Sequence, residues 1–145
     1  MLIVSFAMTT AAFVAKRKSV TRREWSDEYY ERVRRALEAA IDRGEKGLRV
    51  QGWSASPHRK GKKIGEAVIT SLTREPTHLI PDSDWEAEGF AYMTEHGINV
   101  DKNLSCEKLW RLWRQDREKV TAVVRFEVVS IEPGITEEEF WPKVA

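Results

Sequence analysis

The densest polar run in this sequence is Lys16-Arg17-Lys18-Ser19-Val20-Thr21-Arg22-Arg23, directly after an apolar stretch. On a plain strand Ser19, Thr21 and Arg23 share one face, whereas Lys18 and Thr21 point to opposite faces. A turn or bulge between them brings the lysine amine and the hydroxyl together. A desolvated lysine loses basicity and is then able to take a proton from a hydroxyl nucleophile. From chemistry alone, such a run is more often a solvent-exposed basic loop.

A second basic cluster, His58, Arg59, Lys60, Lys62 and Lys63, follows Trp53. Guanidinium and ammonium groups clustered in this way suit phosphate oxygens. The expected nucleic-acid or substrate contacts are therefore Lys16, Arg17, Arg22, Arg23, Trp53, Arg59, Lys60, Lys62 and Lys63. Trp25, Trp53 and Trp85 offer flat faces for base stacking, and each equally suits core or rim packing. Trp110 and Trp113, three apart on a helix, suit core or a partner surface better than a ligand site.

Other chemistries find little support. His58, His78 and His96 lack metal-ligand spacing, so no metal is expected. Gly61-Lys62-Lys63 lacks the earlier glycine and the terminal Ser or Thr of a phosphate-binding loop. Cys106 has no distinctive neighbours and reads as a small hydrophobe. No cofactor is expected.

The elements that must position these groups follow from periodicity. Leu2 to Phe6 reads as a buried strand, followed by a short helix through Val14 with Thr9 or Thr10 as cap. Ser26 to Arg43 is the clearest helix, with Tyr30, Val33, Leu37, Ala40 and Ile41 as its apolar stripe and Gly44 and Gly47 ending it. Leu48 to Trp53 and Lys63 to Thr73 read as strands, joined by the basic loop from Ser54 to Lys63 and stopped by Pro76. Asp82 or Ser83 caps a helix carrying Trp85, Glu88, Gly89, Tyr92 and Met93. Ser105 caps another. Val120 to Ile131 is a long β-branched strand, and the last ten residues suit a helical turn.

Composition bounds the rest. A chain of 145 residues, 41% hydrophobic and 32% charged, reads as one globular domain over 1–145, not a fibre or a disordered tail. The formal charge of +1 conceals a division. Residues 1–74 carry 16 Lys+Arg against 8 Asp+Glu, a net of +8, and the remainder carries 8 against 15, a net of −7. A basic face from the first half and an acidic one from the second are expected. The apolar start is interrupted by Ser5, Thr9 and Thr10, has no basic stretch ahead of it and is too short to span a bilayer, so no membrane partner is expected. A single cysteine fits a reducing cytoplasm. Strands near both ends with helices between them make an α+β fold, a small sheet or partial barrel.

The Lys16–Arg23 run resembles the signature of the ASCH family, Gly-x-Lys-x-x-Glu-x-Arg. Lys18 and Arg23 match its Lys and Arg. Thr21 stands at its Glu, as in one branch with a Gly-Arg-Lys-Thr-Ile-Thr-x-Arg run. Lys62-Lys63-Ile64-Gly65-Glu66-Ala67, Asp84-Trp85-Glu86-Ala87-Glu88-Gly89-Phe90, Leu109-Trp110 and Val123-Val124-Arg125-Phe126 extend the likeness to about Ile131. The resemblance implies a PUA-like small β-barrel with peripheral helices. Lys16 replaces the family's Gly, and a turn made with a negative φ is one expectation there.

The resemblance implies two functions. The family as a whole implies binding of RNA, a nucleotide or a nucleoside in a basic cleft. The Thr-containing branch resembles amidohydrolases of N4-acetylcytidine, with a catalytic set carried over as Lys18, Thr21 and Glu88. Glu86 is the second choice of acid, and Arg23 would stabilise the anionic intermediate or hold the acid. Glu88 also suits a helix start, where a carboxylate favours the helix dipole. Ribonuclease chemistry is a further alternative, without a histidine pair to support it.

Overall fold

The computed structural model describes residues 1–143; residues 144 and 145, the end of the expected C-terminal turn, lie outside the described residues. In chain order the regular elements are β1 (Leu2–Ser5), α1 (Thr10–Val14), β2 (Val20–Arg23), α2 (Asp27–Asp42), β3 (Leu48–Trp53) and β4 (Lys63–Pro76). They are followed by α3 (Asp84–Ala87), α4 (Phe90–Glu95), α5 (Cys106–Gln115) and β5 (Val120–Ile131). Short 3-10 turns precede α1 and follow β4, and Glu137–Phe140 forms another after β5.

The strands form one mixed sheet in the order β1-β3-β4-β5-β2, with β1 parallel to β3 and the other pairs antiparallel. The order puts β1 and β2 at opposite edges. Even so, the Arg23 guanidinium at the end of β2 donates to the Ser5 carbonyl at the end of β1, at 2.6 Å. The sheet must curl for its two edges to meet. Register shifts at Gly52/Trp53, Glu66/Ala67 and Ile69/Ser71 supply the bending, because an extra residue sharpens the local twist.

Two apolar clusters hold this arrangement. One packs Val33 and Leu37 of α2 against Val4, Val50, Ala67, Ile69 and Val124 of the sheet. At its centre Phe13 of α1 stacks on Phe6 with ring centroids 4.7 Å apart, and Phe126 lies 6.1 Å from Phe13. Gly52 and Gly65 face each other across β3 and β4, and a Cβ on either would come within 2.8 and 3.2 Å of the Phe13 ring. This hollow seats α1 on the sheet. The second cluster joins Ala11 and Ala12 of α1 to Phe90, Tyr92, Met93, Ile98 and Cys106.

Several local expectations change. Ser26 and Ser105 cap α2 and α5, accepting from the Tyr29 and Lys108 amides at 3.1 Å each. Thr9 and Thr10 do not cap α1; their hydroxyls donate to the Phe6 and Ala7 carbonyls at 2.7 Å. Ser83 precedes α3 without a side-chain cap. The single helix expected over Trp85–Met93 is two short helices, broken at Gly89, whose φ of +87° reverses the chain. Strand β4 continues through Pro76, where the missing amide ends it. Among the described residues no helix is long and apolar enough to cross a membrane.

Candidate functional site

Helix α1 ends where the basic run begins. Arg17 N–H donates to the Ala12 carbonyl at 2.9 Å and Lys16 takes φ +59°, the left-handed close of a helix usually given to Gly. The negative-φ turn expected for Lys16 is therefore not formed. A left-handed backbone at a residue with a Cβ costs about 1–2 kcal/mol. The chain is then pinned by Ser19, whose amide donates to the Ala87 carbonyl at 2.7 Å and whose carbonyl accepts from Phe126 N–H at 2.9 Å. Lys18 lies between these fixed points, ahead of β2, so strand alternation does not govern its direction. Across from it, Gly89 brings the α3–α4 junction close: a Cβ there would lie 2.6 Å from Ala12 Cβ and 3.5 Å from Lys18 Cβ.

The result is a buried set of charges. Lys18 Nζ donates to the Glu88 carbonyl at 2.7 Å and lies 3.3 Å from Glu88 Oε1. Arg22 donates to Glu88 Oε2 and to Asp84 Oδ2, both at 2.7 Å. Arg125 of β5 binds Asp84 Oδ1 and Oδ2 at 3.0 and 2.9 Å. The Lys18 and Arg22 side chains are each 1% exposed, and those of Asp84 and Glu88 3%. Thr21, also buried, accepts from Arg23 Nε at 3.0 Å.

Burial pushes the Lys18 amine below its ordinary pKa, with Glu88 acting against the shift. Burial likewise lowers Arg23, and Glu88 again opposes it. For Asp84, burial acts upward, yet the hydrogen bonds from Arg125 and Arg22 outweigh it and hold the carboxyl below its usual range.

All of these groups except Asp84 and Arg125 line one cavity of about 260 Å³. Lys18, Thr21, Arg22, Arg23 and Glu88 form its polar wall, completed by Ser5 and Thr9. Phe90, Val100, Leu109 and Trp113 form an apolar wall. A larger hollow of about 450 Å³ lies along Glu28, Glu31, Arg32 and Arg35 of α2, but surface charges alone line it. None of the three histidines lines the polar cavity. Among the described residues no group of three or more His, Cys, Asp or Glu is placed to hold a metal ion.

Lys18, Thr21, Arg22, Arg23 and Glu88 thus come together, and the other sequence-derived candidates do not. Arg22, expected as a phosphate contact, lines the cavity and is paired with Asp84 and Glu88. Arg17 pairs with Glu86 and Glu95, which occupies both it and the second-choice acid at the surface. Lys62 pairs with Glu139, and Lys63 with Glu66 and Glu132. Lys16, Arg59 and Lys60 are exposed and have no carboxylate partner among the described residues. Trp53 is half-buried and donates its ring N–H to Gln51 at 3.0 Å; it does not line the cavity. Trp25 packs edge-on against Tyr29, and Trp85 edge-on against Phe90 and Trp110. Acids of the second half therefore partner Arg17, Arg22, Lys62 and Lys63, four of the eight expected cationic contacts.

Sequence reasoning missed the role of Asp84, the contribution of Arg125 and the apolar wall. Arg125 carried a signal, since one guanidinium within Val120–Ile131 needs a partner. The wall carried none, because it gathers residues from α4, the segment after it and α5.

No family model and no curated protein matches the chain. One solved structure, protein EF3133 from Enterococcus faecalis, described under the family model DUF984, is similar at 14% identity with a TM-score of 0.48. The match covers 90% of this chain and 77% of that one.

Proposed function

We propose that this chain is an ASCH, PUA-like domain that binds a nucleotide or nucleoside, free or in RNA, in the cavity over Lys18, Thr21, Arg23 and Glu88. One observation carries the reading: hydrogen-bonding and charged groups and a set of apolar side chains together line one cavity of about 260 Å³. That combination suits a planar heterocycle, whose faces are apolar and whose edges are polar. The left-handed backbone at Lys16, the place of the family's Gly, and the curled sheet support the family assignment.

The ion pairs of Arg17, Lys62 and Lys63 argue for local recognition over a broad polyanion track. Affinity for a short RNA should fall with salt by only the slope of one or two phosphates, roughly −0.7 each. The test is calorimetric titration of wild type, Lys18→Met and Thr21→Val with cytidine, cytidine 5′-monophosphate and a short RNA. Either substitution should weaken binding at least about tenfold, the size of one lost charged or polar contact. Absence of binding to every probe at low salt, or equal affinity in all three proteins, refutes the reading.

A second reading, hydrolysis of N4-acylated cytidine, is supported by Thr21 lining the same cavity as Lys18, whose basicity burial lowers. Thr21 Oγ would add to the acyl carbon while a neutral Lys18 takes its proton. The C–N bond would then break as Lys18 returns that proton to the departing amine, and water would hydrolyse the resulting ester. Glu88 accepts hydrogen bonds at both oxygens, so its part is to hold Lys18 rather than to donate. Unchanged release of cytidine from N4-acetylcytidine by Thr21→Ala removes this reading.

A further inference from the structure

The charges around the cavity do not balance. Four cations, Lys18, Arg22, Arg23 and Arg125, surround two carboxylates, Asp84 and Glu88. Each carboxylate oxygen already accepts from a cation: Glu88 from Lys18 and Arg22, Asp84 from Arg22 and Arg125. Lys18, Arg22 and Arg125 each have a carboxylate partner in this set, and Arg23 has none among the described residues.

Among the described residues Arg23 makes hydrogen bonds only to neutral acceptors, Thr21 Oγ1 at 3.0 Å and the Ser5 carbonyl at 2.6 Å, and its guanidinium lies 5.6 Å from the Phe6 ring. No carboxylate lies within ion-pair distance of it among the described residues. Of the five N–H donors of a guanidinium, three have no partner among the described residues. The side chain is partly buried and lines the cavity, and a guanidinium does not shed its proton to escape the cost of burial. Its unpartnered donors are not sealed from solvent, so they are open to a counter-charge that enters the cavity from outside the chain.

We propose that the ligand brings an anionic oxygen group into this cavity and seats it on Arg23, and that this group is the phosphate of a nucleotide. The inference rests on the reading of the cavity as a nucleoside-sized site and adds the ligand's charge to it. The guanidinium of Arg23 is held by Thr21 through Nε and by Ser5 through Nη2, which leaves Nη1 and the second hydrogen of Nη2 for phosphate oxygens. The same chemistry would admit a carboxylate, so the test separates the two.

Wild-type protein is titrated with cytidine and cytidine 5′-monophosphate, and the bound nucleotide is then competed with inorganic phosphate and with acetate. The nucleotide should bind at least about tenfold tighter than the nucleoside, the effect of one charge-assisted pair. Phosphate should displace it at lower concentration than acetate. Arg23→Gln should reduce the nucleotide-to-nucleoside ratio below about twofold, with Arg23→Lys retaining part of it. Because Arg23 also joins the sheet edges, the wild-type ratio and the competition decide the matter even if Arg23→Gln does not fold. Equal affinity for cytidine and its monophosphate overturns the anion seat while leaving the nucleoside site standing. Stronger displacement by acetate overturns the phosphate assignment. Absence of binding by either overturns both.

Discussion

Asp84 and Glu86 stand two residues apart on one short helix and each pairs with arginine, yet their replacement should differ several-fold in effect. The Arg17–Glu86 pair is exposed, with side chains 37% and 53% accessible. Screening and side-chain entropy leave such a pair about 0–1 kcal/mol. Asp84 is 3% exposed and accepts three hydrogen bonds, from Arg22 at 2.7 Å and from Arg125 at 3.0 and 2.9 Å. Asp84→Asn would leave Arg22 and Arg125 facing one another around an amide that supplies no negative charge. Breaking a buried pair in this way costs about 3–5 kcal/mol. At about 3 °C per kcal/mol for a chain of this size, the melting temperature should fall by about 9–15 °C. Glu86→Gln should lower it by under about 3 °C. The assay is thermal denaturation of wild type and both variants followed by circular dichroism from pH 7 to pH 3. An unfolded aspartate binds its proton near 3.8, and the folded Asp84 binds it lower because Arg125 and Arg22 overcome the effect of burial. The contribution is therefore complete above about pH 3.8 and is lost as the pH falls through the lower folded value. The gap between wild type and Asp84→Asn should be constant from pH 7 to about 4 and close below it. Equal melting temperatures for the two variants at pH 7 would refute the claim that the buried charge set holds α3 to β2 and β5.

Two backbone predictions run in opposite directions. Gly89→Ala combines φ +87° with a Cβ 2.6 Å from Ala12 Cβ, so left-handed strain and overpacking together should cost about 2–5 kcal/mol. Urea denaturation should show an earlier midpoint, and an unchanged one contradicts the close approach at this junction. Lys16→Gly relieves φ +59° at an exposed position and should stabilise by up to about 1 kcal/mol after the entropy gained by the unfolded chain. A loss of more than about 1 kcal/mol in the same denaturation series would refute the strain assigned to Lys16.

Much of the secondary structure was legible because it depends on local signals. Ser26 ahead of an amphipathic stripe, alternation over Leu48–Trp53 and β-branched residues over Val120–Ile131 each act within a few residues. The break between α3 and α4 was harder to read, since one Gly inside a helical pattern is commonly tolerated. Here its missing Cβ admits Ala12 and the stem of Lys18, a requirement set by another element. The candidate site divides in the same way. Lys18, Thr21 and Arg23 stood out by residue type and spacing, and the family resemblance drew in Glu88.

The sequence by itself determined the inventory: which cations and carboxylates exist, where strands and helices form, and that the charge separates between the two halves. Only the tertiary structure decided which charges meet. A curled sheet joins Ser5 to Arg23 across its two edges, and a reversal at Gly89 places Glu88 against Lys18, contacts separated by 18 and 70 residues. Electrostatic pairing depends on distance and burial in space, neither of which is encoded at any one position. For that reason Arg22, outwardly a surface cation, is paired twice inside the protein, while Arg23 beside it lines the cavity without a carboxylate partner among the described residues.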